Sequence, residues 1–541
     1  MVSDDGAGKP SKTFYIENNI IKGVKTKFDS SATGVGPLIM KVFNDKPNVV
    51  AQIEVETGKH TTYQEMKERS IRCALWLLKQ NVGSGDVVTI CTHNHLDSYV
   101  PCIATFFVGA IYNPWHHEVT LKTARHLMSL TRPKVIFACE SAVEVLKEAA
   151  RLEGVEAKMV VFEKHLELKT LKDIMRLQTN EEVETFKLPE IKDPSGIAMI
   201  LFSSGTTGLP KGVAHSHRSL YRNTSSFGAM DDSKTLWYSS LYWISGTFCL
   251  LRSTLCAATR ILHANFDAVE TCKVIEKYKV DWFFVTPVMM IDFCKSKSLK
   301  KHKLDCLKVV LTGGSKVSRP ILKEFKESLP NCAVAQAYGM TELGGVVSAQ
   351  TKDCTKIESV GFVIPNMQLK IIDELSNKAL GPNEVGEMCV KSDDKMLCYY
   401  RNPEATKATI DEDGWIHTGD RGYYAENGEL FIVDRIKEVM KFRGHHVSAI
   451  EIEEVLLRHP DVIEAAVVPV PHDTDIERPM AFVKKIAASK VTEEELVELS
   501  SELGTYRKLW GGVKFIEEIP HTASGKVCRK ELKEMAKLCS Q

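Results

Sequence analysis

Ile197-Ala198-Met199-Ile200-Leu201-Phe202 runs straight into Ser203-Ser204-Gly205-Thr206-Thr207-Gly208-Leu209-Pro210-Lys211-Gly212. The first six residues are uniformly apolar and read as a buried strand; the ten that follow are dense in glycine and hydroxyl side chains and hold one lysine. A buried strand that opens into such a loop is how layered α/β proteins offer backbone N–H groups to an anion. Glycines let the backbone come close, Ser and Thr hydroxyls donate to phosphate oxygens, and Lys211 supplies a mobile positive charge. A lysine ~4 Å from a phosphate contributes about 4 kcal/mol at an effective dielectric near 20, before desolvation is subtracted. The loop is not a Walker loop, because Pro210 precedes the lysine and Gly212 follows it, so an ordinary nucleotide triphosphatase is disfavoured.

Outward from this loop, strand candidates recur at Val87–Cys91, Val135–Ala138, Met159–Phe162, Trp282–Val285 and Val309–Leu311, with helical segments between them. That alternation predicts layered α/β architecture. Thr62 and Glu65 stand at capping-box spacing ahead of Ile71, Ala74, Leu75 and Leu78, which predicts a buried amphipathic helix over 62–80. The longest apolar stretch, Cys102–Tyr112, contains Gly109 and is too short to cross a bilayer, so it reads as a buried strand or helix. After Gly422 the texture changes to short β-like segments with a turn at Glu426-Asn427-Gly428-Glu429, and then to the charged run Asp434-Arg435-Ile436-Lys437. A helix from about Ser448 to Arg458, apolar at Ile452, Val455 and Leu456, and a β-branched run over Val462–Val468 complete a small α+β unit. The expected division is an N-terminal domain over 1–434 and a C-terminal domain over 435–541.

Composition agrees with two domains. A chain of 541 residues exceeds what one core usually organises, and 44% hydrophobic with 26% charged residues is ordinary for a globular protein. Seventy basic residues cancel 70 acidic ones, so no global field favours nucleic acid or an anionic membrane. The 15 cysteines are scattered, without disulfide-scaffold density or a zinc pattern, which predicts reduced thiols and an intracellular, cytoplasmic setting. Residues 1–12 are polar, lack the apolar core of an export signal and read as a disordered tail. Cys539-Ser540-Gln541 is not the Ser-Lys-Leu peroxisomal address.

Five further segments stand in order: Thr312-Gly313-Gly314-Ser315; Tyr338-Gly339-Met340-Thr341-Glu342; Gly414-Trp415-Ile416-His417-Thr418-Gly419-Asp420; Asp434–Lys437 continuing to Lys441-Phe442-Arg443-Gly444; and Ser524-Gly525-Lys526. With the loop at 203–212, this series resembles the adenylate-forming superfamily of acyl- and aryl-CoA synthetases, peptide-synthetase adenylation domains and beetle luciferases. The resemblance covers most of the chain. It implies a large N-terminal domain of two α/β subdomains with a small β-barrel, and a mobile α+β C-terminal domain that turns about Asp434–Lys437 between two half-reactions.

The resemblance also implies roles. ATP exchanges a carboxylate oxygen for an AMP leaving group, and pyrophosphate departs with developing negative charge. Ser203, Ser204, Gly205, Thr206, Thr207, Gly208 and Lys211 would hold phosphates, and Gly313, Gly314, Tyr338, Gly339 and Thr341 would line the nucleotide site. Glu342 would position Mg²⁺. Asp420 would accept from the ribose hydroxyls, with Arg435 beside the same nucleotide. Lys526 would bridge the reacting carboxylate and the α-phosphate, and Lys441 would serve the alternate orientation.

Departures from the family pattern bear on the acid and on the second step. Where members often carry a histidine at the acyl pocket, Ser240–Gly246 carries Trp243, which has an N–H and an apolar face but no acceptor. Ala335-Gln336-Ala337 lacks the arginine that beetle luciferases have ahead of the Gln, so the pocket at Ala337 differs. His445 and His446 stand where Tyr and Gln or Asn are more usual; without further ligands they do not make a metal site. Transfer of the acyl group to CoA is the first expectation, a luciferase-type oxidation of the adenylate by O₂ the second, and a silent nucleotide-binding homologue the third. The acid and the oligomeric state are not legible in the sequence.

Overall fold

The computed structural model describes residues 13–28, 33–203, 209–225, 230, 232–436, 440–443, 445–521 and 526–539. The expected tail 1–12, the loop residues Ser204–Gly208, Lys437, Gly444, Ser524, Gly525 and the side chain of His446 therefore lie outside the described residues.

Two large sheets form the body. The first has seven strands in the order Cys398–Tyr399, Lys211–Ser216, Ile197–Ser203, Ile111–Trp115, Val87–Cys91, Val135–Ala138 and Lys158–Val161. Its last five strands are mutually parallel, whereas Lys211–Ser216 returns antiparallel from the glycine-rich loop and sets Lys211 opposite Ser203. The second has nine strands, and its centre is the parallel run Ala333–Met340, Val309–Gly313, Trp282–Val285, Lys234–Trp237 and Thr259–Leu262. Val87–Cys91, Val135–Ala138 and Trp282–Val285 are buried at every position, as parallel strands covered on both faces must be. One apolar core takes in Val88, Ile90 and Leu201 of the first sheet and Trp237, Trp282 and Phe284 of the second, so the two sheets are packed into one body.

The helix expected over 62–80 spans Tyr63–Lys79, with both halves of the Thr62–Glu65 capping box formed. The ambiguous stretch Cys102–Tyr112 divides: the helix Tyr99–Phe107 and the strand Ile111–Trp115 meet at Gly109, whose φ of +68° makes the turn. No helix among the described residues is long and apolar enough to cross a membrane.

A third sheet is antiparallel, in the order Phe14–Glu17, Ile20–Gly23, Gln368–Ile372, Gly386–Lys391, Ile416–Tyr424 and Leu430–Arg435. The fold class is the mixed α/β one, but this unit, expected as a small barrel, does not close. Its terminal strands are not paired with each other, because Leu430 instead exchanges backbone bonds with Val360 and Gly361. Phe14 packs its ring against Gly428 and stacks on Phe362 at 5.1 Å, which fills the seam with side chains instead of a ladder.

Residues 440–515 build a separate five-stranded sheet around Val462–His472 and Ile476–Lys485, with its own core of Phe442, Ile452, Val467 and Leu496. The expected helix is Ala449–Leu456, capped by Ser448, whose hydroxyl accepts from the Glu451 amide and donates to Asp434. An ion pair, Lys316 Nζ to Glu454 Oε1 at 2.9 Å, also ties this sheet to the body.

Candidate active site

The carboxyl ends of the parallel strands in both large sheets border one cavity of about 1290 Å³. This is the position in which open α/β sheets take ligands. Of the residues singled out in the sequence, Ser203 and Lys211 reach it from the first sheet, and Gly313, Gly314, Ala337, Tyr338, Gly339, Thr341 and Glu342 from the second. Trp243, Arg435 and Lys526 complete the set. Lys441 does not line the cavity; it is exposed on the C-terminal sheet, where its N–H donates to Glu477 at 2.7 Å.

Local structure explains the convergence. Val309–Gly313 and Ala333–Met340 are adjacent parallel strands in register Gly313↔Ala337, so the Gly313-Gly314 turn and the Tyr338–Glu342 segment leave the sheet side by side. Gly339 lets the strand Gly345–Ala349 pass close: a Cβ there would lie 2.2 Å from the Gly345 carbonyl oxygen. The chain then makes a single 3₁₀ turn over Thr341–Leu343 that delivers Glu342 to the cavity wall. Beneath it, buried His215 donates through Nε2 to the Thr341 carbonyl at 2.7 Å, and burial pulls its imidazole down to about 4.

Asp420 sits one step behind the wall. Its carboxylate accepts from the Tyr338 hydroxyl at 2.7 Å and from Arg435 Nε at 3.0 Å, and the residue is 6% exposed. Burial first, and then the neighbouring Asp420 charge, push the Tyr338 phenol well above its ordinary value, so it remains a donor. Glu342, 7% exposed, accepts at Oε1 from the Tyr399 hydroxyl at 2.8 Å. Lys211 lies over the Tyr399 ring, its Nζ 4.7 Å from the centroid.

Tyr399 was not among the residues picked out in the sequence. Nothing local marks it: Cys398–Tyr399 is a two-residue strand paired with Lys211–Ser216, contributed from nearly 200 residues downstream. His93, His116 and His117 were also missed and line the same cavity. They follow the adjacent parallel strands Val87–Cys91 and Ile111–Trp115; for His93 the available signal was its place just past a strand candidate, whereas His116 and His117 follow a stretch whose sequence left strand and helix open. On the opposite wall Trp282, Phe284, Leu311 and Phe266 give the cavity an apolar side, and Trp243 packs edge-on against Tyr242 at 4.6 Å.

The chain belongs to the AMP-binding enzyme family, whose model matches residues 40–400; the model of the AMP-binding enzyme C-terminal domain matches residues 451–526. It is thereby a member of the adenylate-forming superfamily, whose enzymes act on small-molecule carboxylic acids. The chain is 31% identical over 508 residues to a luciferin 4-monooxygenase of Photuris pensylvanica, a match covering 91% of this chain and 93% of the relative. It is 32% identical over 514 residues to 4-coumarate-CoA ligase 1 of Narcissus pseudonarcissus, covering 91% of each. Among solved structures, the luciferase-like enzyme from the nonluminescent Zophobas morio mealworm is 32% identical with a TM-score of 0.73, covering 78% of this chain and 100% of that one.

Proposed function

We propose that the protein joins a carboxylic acid to AMP at the expense of ATP and then transfers the acyl group to the thiol of CoA. The observation that carries this reading is the convergence of Lys211, Glu342, Arg435 and Lys526, from four separate segments, on one cavity with an apolar wall. In the first step a carboxylate oxygen attacks the α-phosphorus and the bond to the pyrophosphate oxygen breaks; in the second, sulfur attacks the acyl carbon and AMP leaves.

Each residue has a task of its own. Lys211, with Ser203 opposite it, stabilises charge on the departing pyrophosphate. Asp420, held from both sides by Tyr338 and Arg435, fixes the ribose. Lys526 holds the acid against the α-phosphate and spares the attack an entropic search. Trp243 and Ala337 bound the acyl group. Glu342 fits a hard divalent cation: one carboxylate oxygen is anchored by Tyr399, and the residue lines the cavity where phosphates would complete the oxygen set. When bound, Mg²⁺ would neutralise phosphate charge. Lys526 at the cavity and Lys441 outside it fit an orientation serving adenylation, with Asp434–Lys437 as the hinge between a domain over 1–434 and one over 435–541.

A luciferase-type second step, in which O₂ oxidises the adenylate, is the other reading, supported by 31% identity to a luciferin 4-monooxygenase beside 32% to a 4-coumarate-CoA ligase. One experiment separates them: incubation with Mg-ATP, CoA and a library of aliphatic and aromatic acids, followed by mass spectrometry of thioesters and photon counting in air. Thioesters support the ligase; AMP and light without thioester favour the oxidation; neither AMP nor pyrophosphate release with any acid overturns both.

A further inference from the structure

The imidazoles bordering the cavity have no part in the chemistry above. The strands Ile111–Trp115 and Ile197–Ser203 are parallel neighbours with Tyr112 opposite Met199. Extending that register four residues, one past the end of the strand at Trp115, brings His116 level with Ser203 at the ~4.8 Å spacing of neighbouring strands. Ser203 is thus flanked by Lys211 on one side and His116 on the other, and all three line the cavity. The rings of His116 and His117 are stacked, 4.7 Å apart at 26°.

Hydrogen bonding fixes what the pair presents. The Glu118 amide donates to His116 Nδ1 at 3.2 Å, so in the neutral ring the proton sits on Nε2. His117 Nδ1 is buried with no hydrogen-bond partner among the described residues. That nitrogen is enclosed by the protein and the ring's Nε2 lies 3.9 Å from the Glu118 carboxylate, so His117 supports the stack while His116 presents the donor. By contrast His95, close by, is satisfied at both nitrogens by Thr92 and the Asp97 amide and is structural.

We propose that His116, backed by the stacked ring of His117, forms a second phosphate-recognising element whose Nε2–H holds a pyrophosphoryl oxygen beside Ser203. The inference rests on the adenylation reading and deepens it. Burial first holds both imidazoles below their ordinary value; His117 adds to this at His116, while at His117 the opposing Glu118 charge outweighs the smaller lowering by His93. The groups facing them are His93, 5.8 Å from His117; Tyr242, 5.9 Å from His116; the Cys91 thiol, on the His116 carbonyl; and the exposed Glu118 carboxylate, 3.9 Å from His117 Nε2. Only Glu118 among them favours the charged form, so the empty pair is neutral near pH 7. An arriving polyanion reverses that balance, and the pair takes a proton from solvent as it binds.

The test is calorimetric binding of inorganic pyrophosphate with Mg²⁺ to the full chain, in buffers of different ionisation heat between about pH 6 and 8. The variants are His116→Gln and His117→Gln, which keep an N–H donor but cannot titrate. Wild type should show buffer-dependent proton uptake, and its Kd should rise with pH up to about tenfold per unit more steeply than that of the variants. Equal slopes in wild type and variants, or variants that change only the KM of the acid, overturn the inference while leaving adenylation standing. Failure of wild type to bind both pyrophosphate and ATP overturns the adenylation reading itself. Melting curves identify any variant that has not folded, and the second variant then carries the test.

Discussion

Tyr399 joins two functional groups through two different interactions, and substitution can separate them. Its hydroxyl donates to Glu342 at 2.8 Å and its ring lies under the Lys211 ammonium at 4.7 Å. Burial, reinforced by the Glu342 carboxylate, raises the phenol above its ordinary value, so the donor persists across the neutral range. Tyr399→Phe removes one bond to a charged acceptor, about 1.5–3 kcal/mol in general. Because Glu342 borders the cavity, water replaces part of that loss, and the lower end, about 1.5 kcal/mol, applies. This corresponds to a roughly tenfold fall in kcat/KM for ATP. Tyr399→Leu also removes the ring beneath Lys211, a further ~1 kcal/mol or about fivefold. Pyrophosphate release with saturating acid is the assay, with melting curves alongside. Tyr399→Phe within about twofold of wild type, or as impaired as Tyr399→Leu, would refute the reasoning.

Lys526→Ala should suppress adenylate formation while sparing much of the reaction from preformed adenylate, and Lys441→Ala should show the opposite bias; equal losses in both assays would sink the two-orientation model. Gly339→Ala should lower stability by about 1–3 kcal/mol in denaturant titration, since its Cβ would meet the Gly345 carbonyl at 2.2 Å; an unchanged midpoint contradicts the close approach. His215 is held down to about 4 in the folded chain, below its ordinary 6.5, so the unfolded chain binds more protons between those values. Its contribution, on the order of 3 kcal/mol, is complete above about pH 6.5 and is lost as pH falls toward 4. The melting temperature should drop less steeply over that window in His215→Gln, and parallel curves would remove His215 from the account.

Segments whose character is local were legible in the sequence. The Thr62–Glu65 cap, the strand Val87–Cys91 and the strand leading to Ser203 carry their own patterns, and the helix Ala449–Leu456 begins at the serine expected to open it. Most of the singled-out residues that line the cavity were legible because they lie in contiguous motifs. What escaped depends on which strand lies beside which. His116 matters because Ile111–Trp115 neighbours Ile197–Ser203, although some 80 residues separate them, and Tyr399 because a two-residue strand pairs beyond Lys211. Period and composition carry no information about such adjacency. The third sheet was expected to close; the packing of Phe14 and the backbone bonds of Leu430 keep it open, and both depend on tertiary context.

The hydroxyl of Ser448 serves two masters: it accepts from the Glu451 amide at the start of a helix and donates to Asp434, near the end of the strand Leu430–Arg435. The proposed turn of the C-terminal sheet about Asp434–Lys437 would strain or release that donation and free the capping oxygen to reorient. On that proposal the first turn of Ala449–Leu456 should loosen with each rotation, and the Glu451 amide would report it by hydrogen–deuterium exchange without any label.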